Sequence, residues 1–202
     1  SALPLRSQQA GFSRLSWNIN MLRPNGGTGK MIILGLDPGT AITGWGLIDA
    51  QGGSYRLLDY GTLRTKPGPS DAERLVRLHD SLCDLLLQKR PDCVAVEELF
   101  FNRNTTTAVP VGQARGVLLL ACAKQGLPIA EYTPLQVKQA LTGFGRAEKK
   151  QIQYMVARLL QMDAPPKNDD AADALAIAIT HAHYYRGEKL LQDAAEGRKE
   201  RR

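Results

Sequence analysis

The residues most able to do chemistry in this chain are acids placed where the surrounding pattern calls for burial. Asp37 ends the run Met31 to Leu36, in which Ile32, Ile33, Leu34 and Leu36 imply a central strand. A lone ionised carboxylate in such a place is costly unless it is paired or holds a cation. The competing role is an Asx turn onto Pro38-Gly39. Glu97 and Glu98 end a second apolar strand, Cys93 to Val96. Alternation lets only one of the two share the face of Ala95, and spacing leaves both open. Asp169, Asp170 and Asp173 lie on the first turn of an apolar, Ala-rich helix, where acids cap free N–H groups and complement the dipole. Asp170 and Asp173 are three apart, however, and Asp169 and Asp173 four apart, so either pair can present its oxygens on one face.

Acids converging from two strands and a helix repel one another unless cations sit between them. Hard oxygen donors without supporting Cys or paired His favour Mg²⁺ or Mn²⁺ over zinc. Two such ions about 4 Å apart suit phosphoryl transfer, activating water and stabilising the leaving oxygen. His181 and His183 are two apart, diverge on a helix and read as ordinary late-helix residues. The run Gly26-Gly27-Thr28-Gly29-Lys30 is excluded as a phosphate loop, because Pro24 stands where Gly is needed and Met31 where Ser or Thr is needed.

The elements that must position these acids follow from apolar periodicity. Strands are predicted over Met31–Leu36, Thr43–Ile48 and Leu57–Leu63, an antiparallel meander separated by Gly-rich turns. A helix follows over Asp71–Gln88 behind a Ser70/Asp71 cap, with Leu75, Leu78, Leu82, Leu85 and Leu86 on one face. After the strand Cys93–Val96 comes a polar loop through Asn102, Asn104 and three threonines, and Pro110 is placed in the first turn of a helix reaching Lys124. A fifth strand spans 128–132, and helices are expected from Pro134, over Ala147–Gln161 and over Asp169–Tyr185. This order is an α/β plan: a mixed five-stranded sheet with helices on both faces.

With 202 residues and 43% hydrophobic residues the chain can build one sizeable core, which excludes a disordered protein. No apolar run approaches the roughly 20 residues of a membrane span. Cys83, Cys93 and Cys122 lack CxxC spacing and fit reduced thiols in a cytoplasmic protein. Residues 1–30 carry four bases and no acid, lack the apolar core of a secretory signal, and read as an extension without a fold of its own ahead of a start at Met31. Residues 186–202 read as a charged tail. The net charge of +6 comes entirely from these two ends, since residues 31–185 hold 16 bases and 16 acids. A basic balance points toward nucleic acid.

Six ordered segments carry a resemblance. They are Gly35-Leu36-Asp37-Pro38-Gly39-Thr40 with Thr43-Gly44-Trp45-Gly46, then Val96-Glu97-Glu98-Leu99-Phe100, Gly112-Gln113-Ala114-Arg115-Gly116, Gln136-Val137-Lys138-Gln139, Ala147-Glu148-Lys149, and Asp170 through Ala178. Together they closely resemble the RuvC family of bacterial Holliday-junction resolvases over about Met31 to Tyr185. The resemblance implies an RNase H-like fold, a cytoplasmic homodimer, and a Mg²⁺-dependent endonuclease that makes paired nicks in a four-way DNA junction. It implies two ions per site, with Mn²⁺ able to substitute, and the branch-migration proteins RuvA and RuvB as partners. Carried over by position, the metal-binding carboxylates are Asp37, Glu97, Asp170 and Asp173, with Asp169 beside Asp170 leaving open which of those two points inward. Lys138 and Lys149 match lysines near the scissile phosphate. Phe100 matches an aromatic that contacts bases near the crossover, and Phe101 and Arg103 join it in a loop suited to stacking. Arg146 and Lys150 complete the expected DNA-contacting set, and Gly112 and Gly116 let a partner helix approach.

Two rival classes share this pattern. Asp-Pro-Gly-Thr after a strand resembles the first phosphate loop of actin-like ATPases, but the roughly 155 residues of the core cannot hold their duplicated domain. A non-catalytic four-way-junction binding protein of the same fold would have lost acids that this chain retains.

Overall fold

The computed structural model describes residues 30–66, 68, 70–98 and 105–199. Its order is β1 (Lys30–Asp37), β2 (Ile42–Gln51), β3 (Ser54–Arg64), α1 (Asp71–Lys89), β4 (Cys93–Glu97), α2 (Thr105–Lys124), β5 (Ile129–Tyr132), α3 (Pro134–Thr142), α4 (Lys149–Leu159) and α5 (Asp169–Lys199). The sheet order is β3-β2-β1-β4-β5, with β2 antiparallel to β1 and β3, and β4 and β5 parallel to β1. The five predicted strands and the mixed sheet are therefore present.

The meander turns at Gly52-Gly53, whose φ angles of +59° and +97° suit glycine and close a two-residue hairpin. β4 reaches the far side of β1 after α1, and the Asp92 carboxylate accepts from the Ile32 backbone N–H at 2.7 Å, tying the start of β4 to the central strand. Strand alternation then sorts the core into two layers. Leu34, Leu36, Val94 and Val96 pack with α1 and α2. Met31, Ile33, Cys93 and Ala95 pack with α3, α4 and α5. By the same alternation Asp37 and Glu97, two residues beyond Gly35 and Ala95, face the α5 layer.

α5 lies unusually close to the sheet. A Cβ on Gly35 would overlap the Ala174 carbonyl, one on Gly44 the Asp170 carbonyl, and one on Gly46 the Leu175 side chain. Gly35 pairs with Gly46 and Asp37 with Gly44 across the β1–β2 ladder, so these glycines form one bare patch. Small residues answer from the helix: Ala171, Ala174 and Ala178 are all buried. Absence of side chains on both sides allows the close backbone approach, and it sets the first turn of α5 over the end of β1.

Several helix ends differ from expectation. α2 begins at Thr105, so the three threonines assigned to a loop are helical and Pro110 lies inside the helix. A proline near a helix start forfeits a single i→i−4 bond, a cost the long apolar remainder of α2 absorbs. α4 begins at Lys149 rather than Ala147, with Glu148 as its N-cap. α5 continues to Lys199, through residues assigned to a tail. Arg186 lies against Gly53 of the hairpin, giving the helix a contact beyond Tyr185. Lys30, assigned to the extension, opens β1 and pairs with Asp49 at 3.4 Å; residues 1–29 lie outside the described residues.

Candidate active site

The ends of β1 and β4 and the first turn of α5 bring Asp37, Glu97, Asp170 and Asp173 into one electrostatic cluster. Burial, followed by Glu97, Asp173 and Asp170, pushes the Asp37 carboxyl up to about 8, against a smaller opposing pull from Lys149. Burial and Asp173 likewise raise Glu97. Asp173 is raised by burial although Lys149 pulls it down. Such a group cannot carry its full negative charge without a compensating cation.

Lys149, first residue of α4, supplies part of that charge. Its ammonium bridges Asp169 at 3.2 Å and Asp173 at 3.1 Å. Burial works against the ammonium, but Asp173 and Asp169 outweigh it and hold its pKa above the ordinary value. Asp169 sits outermost: its side chain is 61% exposed, against 35% for Asp173. It accepts from Gln153 Nε2 at 2.8 Å, and Lys149 and Gln153 hold its carboxyl below the usual range. Asp170, in contrast, acts on Asp37 as well as on Asp173. The strand ambiguity also resolves: Glu97 joins the cluster, while Glu98 is exposed and donates its backbone N–H to Tyr132 O at 2.8 Å.

A cleft of about 260 Å³ opens beside the acids, lined by Glu97, Lys138, Lys149 and Asp173 over a floor of Val137 and Ile177. Lys138 reaches it from α3, which is anchored by a reciprocal Thr133–Gln136 capping box. Arg146 and Lys150 lie in a neighbouring cleft between α3 and α4. Phe100, Phe101 and Arg103 lie outside the described residues. Among the described residues, no three His, Cys, Asp or Glu side chains stand close enough together to hold a metal ion as placed.

Two residues of the quoted segments, given no role from sequence, support the site. Thr43, fully buried, donates its hydroxyl to Gly39 O at 2.9 Å and fixes the turn that follows Asp37. Arg115 donates from Nε to the Glu97 carbonyl at 3.2 Å and pairs with Glu131, bracing the end of β4 from α2.

The chain matches the family model described as crossover junction endodeoxyribonuclease RuvC over residues 33–181. This chain belongs to the RuvC family. The crossover junction endodeoxyribonuclease RuvC of Pelotomaculum thermopropionicum is 55% identical over 162 residues, covering 80% of this chain and 99% of the relative. That of Desulfitobacterium hafniense is 60% identical over 153 residues, covering 76% and 93%. Among solved structures, Thermus thermophilus RuvC is 40% identical with a TM-score of 0.73, covering 78% of this chain and 97% of that one. The same protein in complex with Holliday junction substrate is 39% identical with a TM-score of 0.70, over 77% and 96%. The RuvC fold is RNase H-like, and the mixed five-stranded sheet with helices on both faces found here is that fold. The match spans every acid of the cluster, from Asp37 to Asp173.

Proposed function

We propose that this chain resolves Holliday junctions in DNA recombination and repair by hydrolysing two phosphodiester bonds in symmetric positions. What carries the reading is the convergence of Asp37, Glu97, Asp170 and Asp173, with Asp37 driven to about 8 by burial and then by the other acids. The donor set fits Mg²⁺ in its chemistry: hard carboxylate oxygens with no thiolate or imidazole among them. Mn²⁺ fits equally, and the number of acids suits two ions. Divalent ions bound there supply activation of the attacking water and charge compensation at the departing 3′ oxygen, leaving 5′-phosphate ends.

The chain's own groups do the rest. Asp37 and Glu97, fixed on adjacent strands, hold one side of the site rigid. Asp170 and Asp173 close it from α5. Lys149, paired here with Asp173, and Lys138 across the cleft would hold the scissile phosphate between two ammonium groups. Phe100, Phe101 and Arg103 follow Glu97 directly in sequence and would meet the crossover, with Arg146 and Lys150 on the DNA backbone. A twofold homodimer would present two such sites to a twofold junction, which explains paired cuts. Among the described residues no helix is long and apolar enough to cross a membrane; a bacterial cytoplasmic setting, with RuvA and RuvB as partners, follows from the family resemblance alone.

A synthetic four-way junction incubated with the protein in Mg²⁺ and in EDTA tests the proposal. Ligatable paired nicks are expected only with the metal. Asp37→Asn should abolish nicking and retain junction binding, and normal nicking by that variant would refute the role of the cluster. Tight binding without nicking in Mg²⁺ or Mn²⁺ would favour a non-catalytic junction-binding protein.

A further inference from the structure

The first turn of α4 divides two clefts. Lys149 faces the acids, whereas its neighbour Lys150 lines a second, larger cleft of about 590 Å³ between α3 and α4. Phe144, Arg146, Gln151, Tyr154 and Met155 also line it. None of its lining residues is acidic. Among the described residues neither Arg146 nor Lys150 has a carboxylate partner, in contrast to Lys149. Both cations are therefore available to a ligand.

The aromatic side chains are placed unusually. Phe144 is 75% exposed and Tyr154 60% exposed. Phe144 does not sit on loose chain. Gly143 caps α3 at φ +75° and donates its N–H to Gln139 O at 2.9 Å. The Phe144 N–H donates to Thr142 Oγ1 at 3.2 Å, and its carbonyl accepts from the Ala147 N–H at 3.4 Å. A fixed backbone thus presents a bare ring to solvent, beside a tyrosine that shares a helical face with Lys150 four residues earlier. Two exposed rings and two cations without carboxylate partners in one cleft suit a ligand that carries both an aromatic face and negative charge.

We propose that this second cleft seats an unstacked nucleotide of the junction strand adjoining the scissile phosphate, with Phe144 and Tyr154 against the base and Arg146 and Lys150 on the flanking phosphates. The proposal rests on the reading above that four-way junction DNA is the substrate. The occupant follows from two observations. The two clefts flank the first turn of α4, with Lys149 lining one and the next residue, Lys150, lining the other, so a strand held at the acids passes close to the second cleft. Its pairing of aromatic faces with unpaired cations is the chemistry of single-strand recognition, in which stacking accepts any base and the cations follow the backbone. The ends of the chain contribute the net positive charge, and this cleft gives the neutral core a local basic surface at the site itself.

The test uses the full chain carrying Asp37→Asn, which is expected to bind without cutting. Junctions carry 2-aminopurine next to the phosphodiester that the wild-type protein nicks. Binding should quench the probe, and adding Phe144→Ala should abolish the quench and weaken binding about 10-fold. Phe144→Trp should restore both. Adding Lys150→Ala should reduce the slope of log affinity against log salt by about 0.9. Because Phe144 is exposed, unfolding temperature should be unchanged. Quenching and affinity left intact by Phe144→Ala overturn the proposal while leaving the resolvase reading standing. A wild-type protein that nicks no four-way junction refutes that reading, and the nucleotide site with it.

Discussion

Removing one negative charge from the acid cluster should make the metal-free protein more stable, the reverse of what loss of a buried polar side chain normally does. Asp37 ionises at an ordinary value of 3.8 when unfolded and near 8 when folded. The folded state therefore keeps a proton that the unfolded state has released, and stability falls as pH rises from about 4 to about 8. Integrating between those values, the cost of the native carboxyl is about 1.7 kcal/mol at pH 5 and about 5 kcal/mol at pH 8, where it levels off. Asp37→Asn removes that term. In EDTA, urea unfolding should find the Asn variant ahead of wild type by about 2–5 kcal/mol at pH 8, a midpoint shift of roughly 1–2 M, and by under about 2 kcal/mol at pH 5. Saturating Mg²⁺ should reverse the order at pH 8 by stabilising the wild-type protein selectively. A variant less stable than wild type at pH 8 without metal would show that burial and the neighbouring acids do not raise the Asp37 carboxyl, and the case for a cation-demanding site would fail with it.

Two further outcomes follow from the same geometry. Gly44→Ala would push a methyl into the Asp170 carbonyl, so α5 must back away from β2; urea unfolding should show a loss of roughly 1–3 kcal/mol, and nicking by the remaining folded protein should also fall because the acids separate. Unchanged stability would mean that the glycine patch does not set the helix position. Lys149→Ala should let the Asp169 carboxyl rise toward its ordinary value and raise Asp173 further, both readable by carboxyl NMR titration, while nicking drops about 100-fold; an Asp169 titration unmoved by the change would sink the bridging role.

What could be read from the sequence was whatever depended on local pattern. Alternation and helical spacing located all five strands and the buried face of α1, because burial of one face is what those periods encode. The helix ends were misplaced where a local signal competed with a tertiary one. Pro110 reads as a helix start, yet α2 gains five earlier residues. The charged stretch after Tyr185 reads as a tail, yet its residues favour helix and α5 runs on past the β2–β3 hairpin.

The candidate site shows the same division more sharply. Acid types and their spacing were visible, but the residues alone could not choose between Glu97 and Glu98, or between Asp169 and Asp170. Those choices belong to the packing of α5 on the sheet. Gly35, Gly44 and Gly46 resemble a family motif in sequence, and no spacing rule reveals that they form a bare patch two strands wide. Once α5 settles there, its rotation is fixed by Ala171, Ala174 and Ala178 facing the strands. That rotation turns Asp170 and Asp173 toward Asp37, and leaves Asp169 outside with Gln153 and Lys149. The glycines are thus as much a part of the acid cluster as the carboxylates, although they carry no chemistry. A side chain at any one of them would separate the acids without altering a single titratable group.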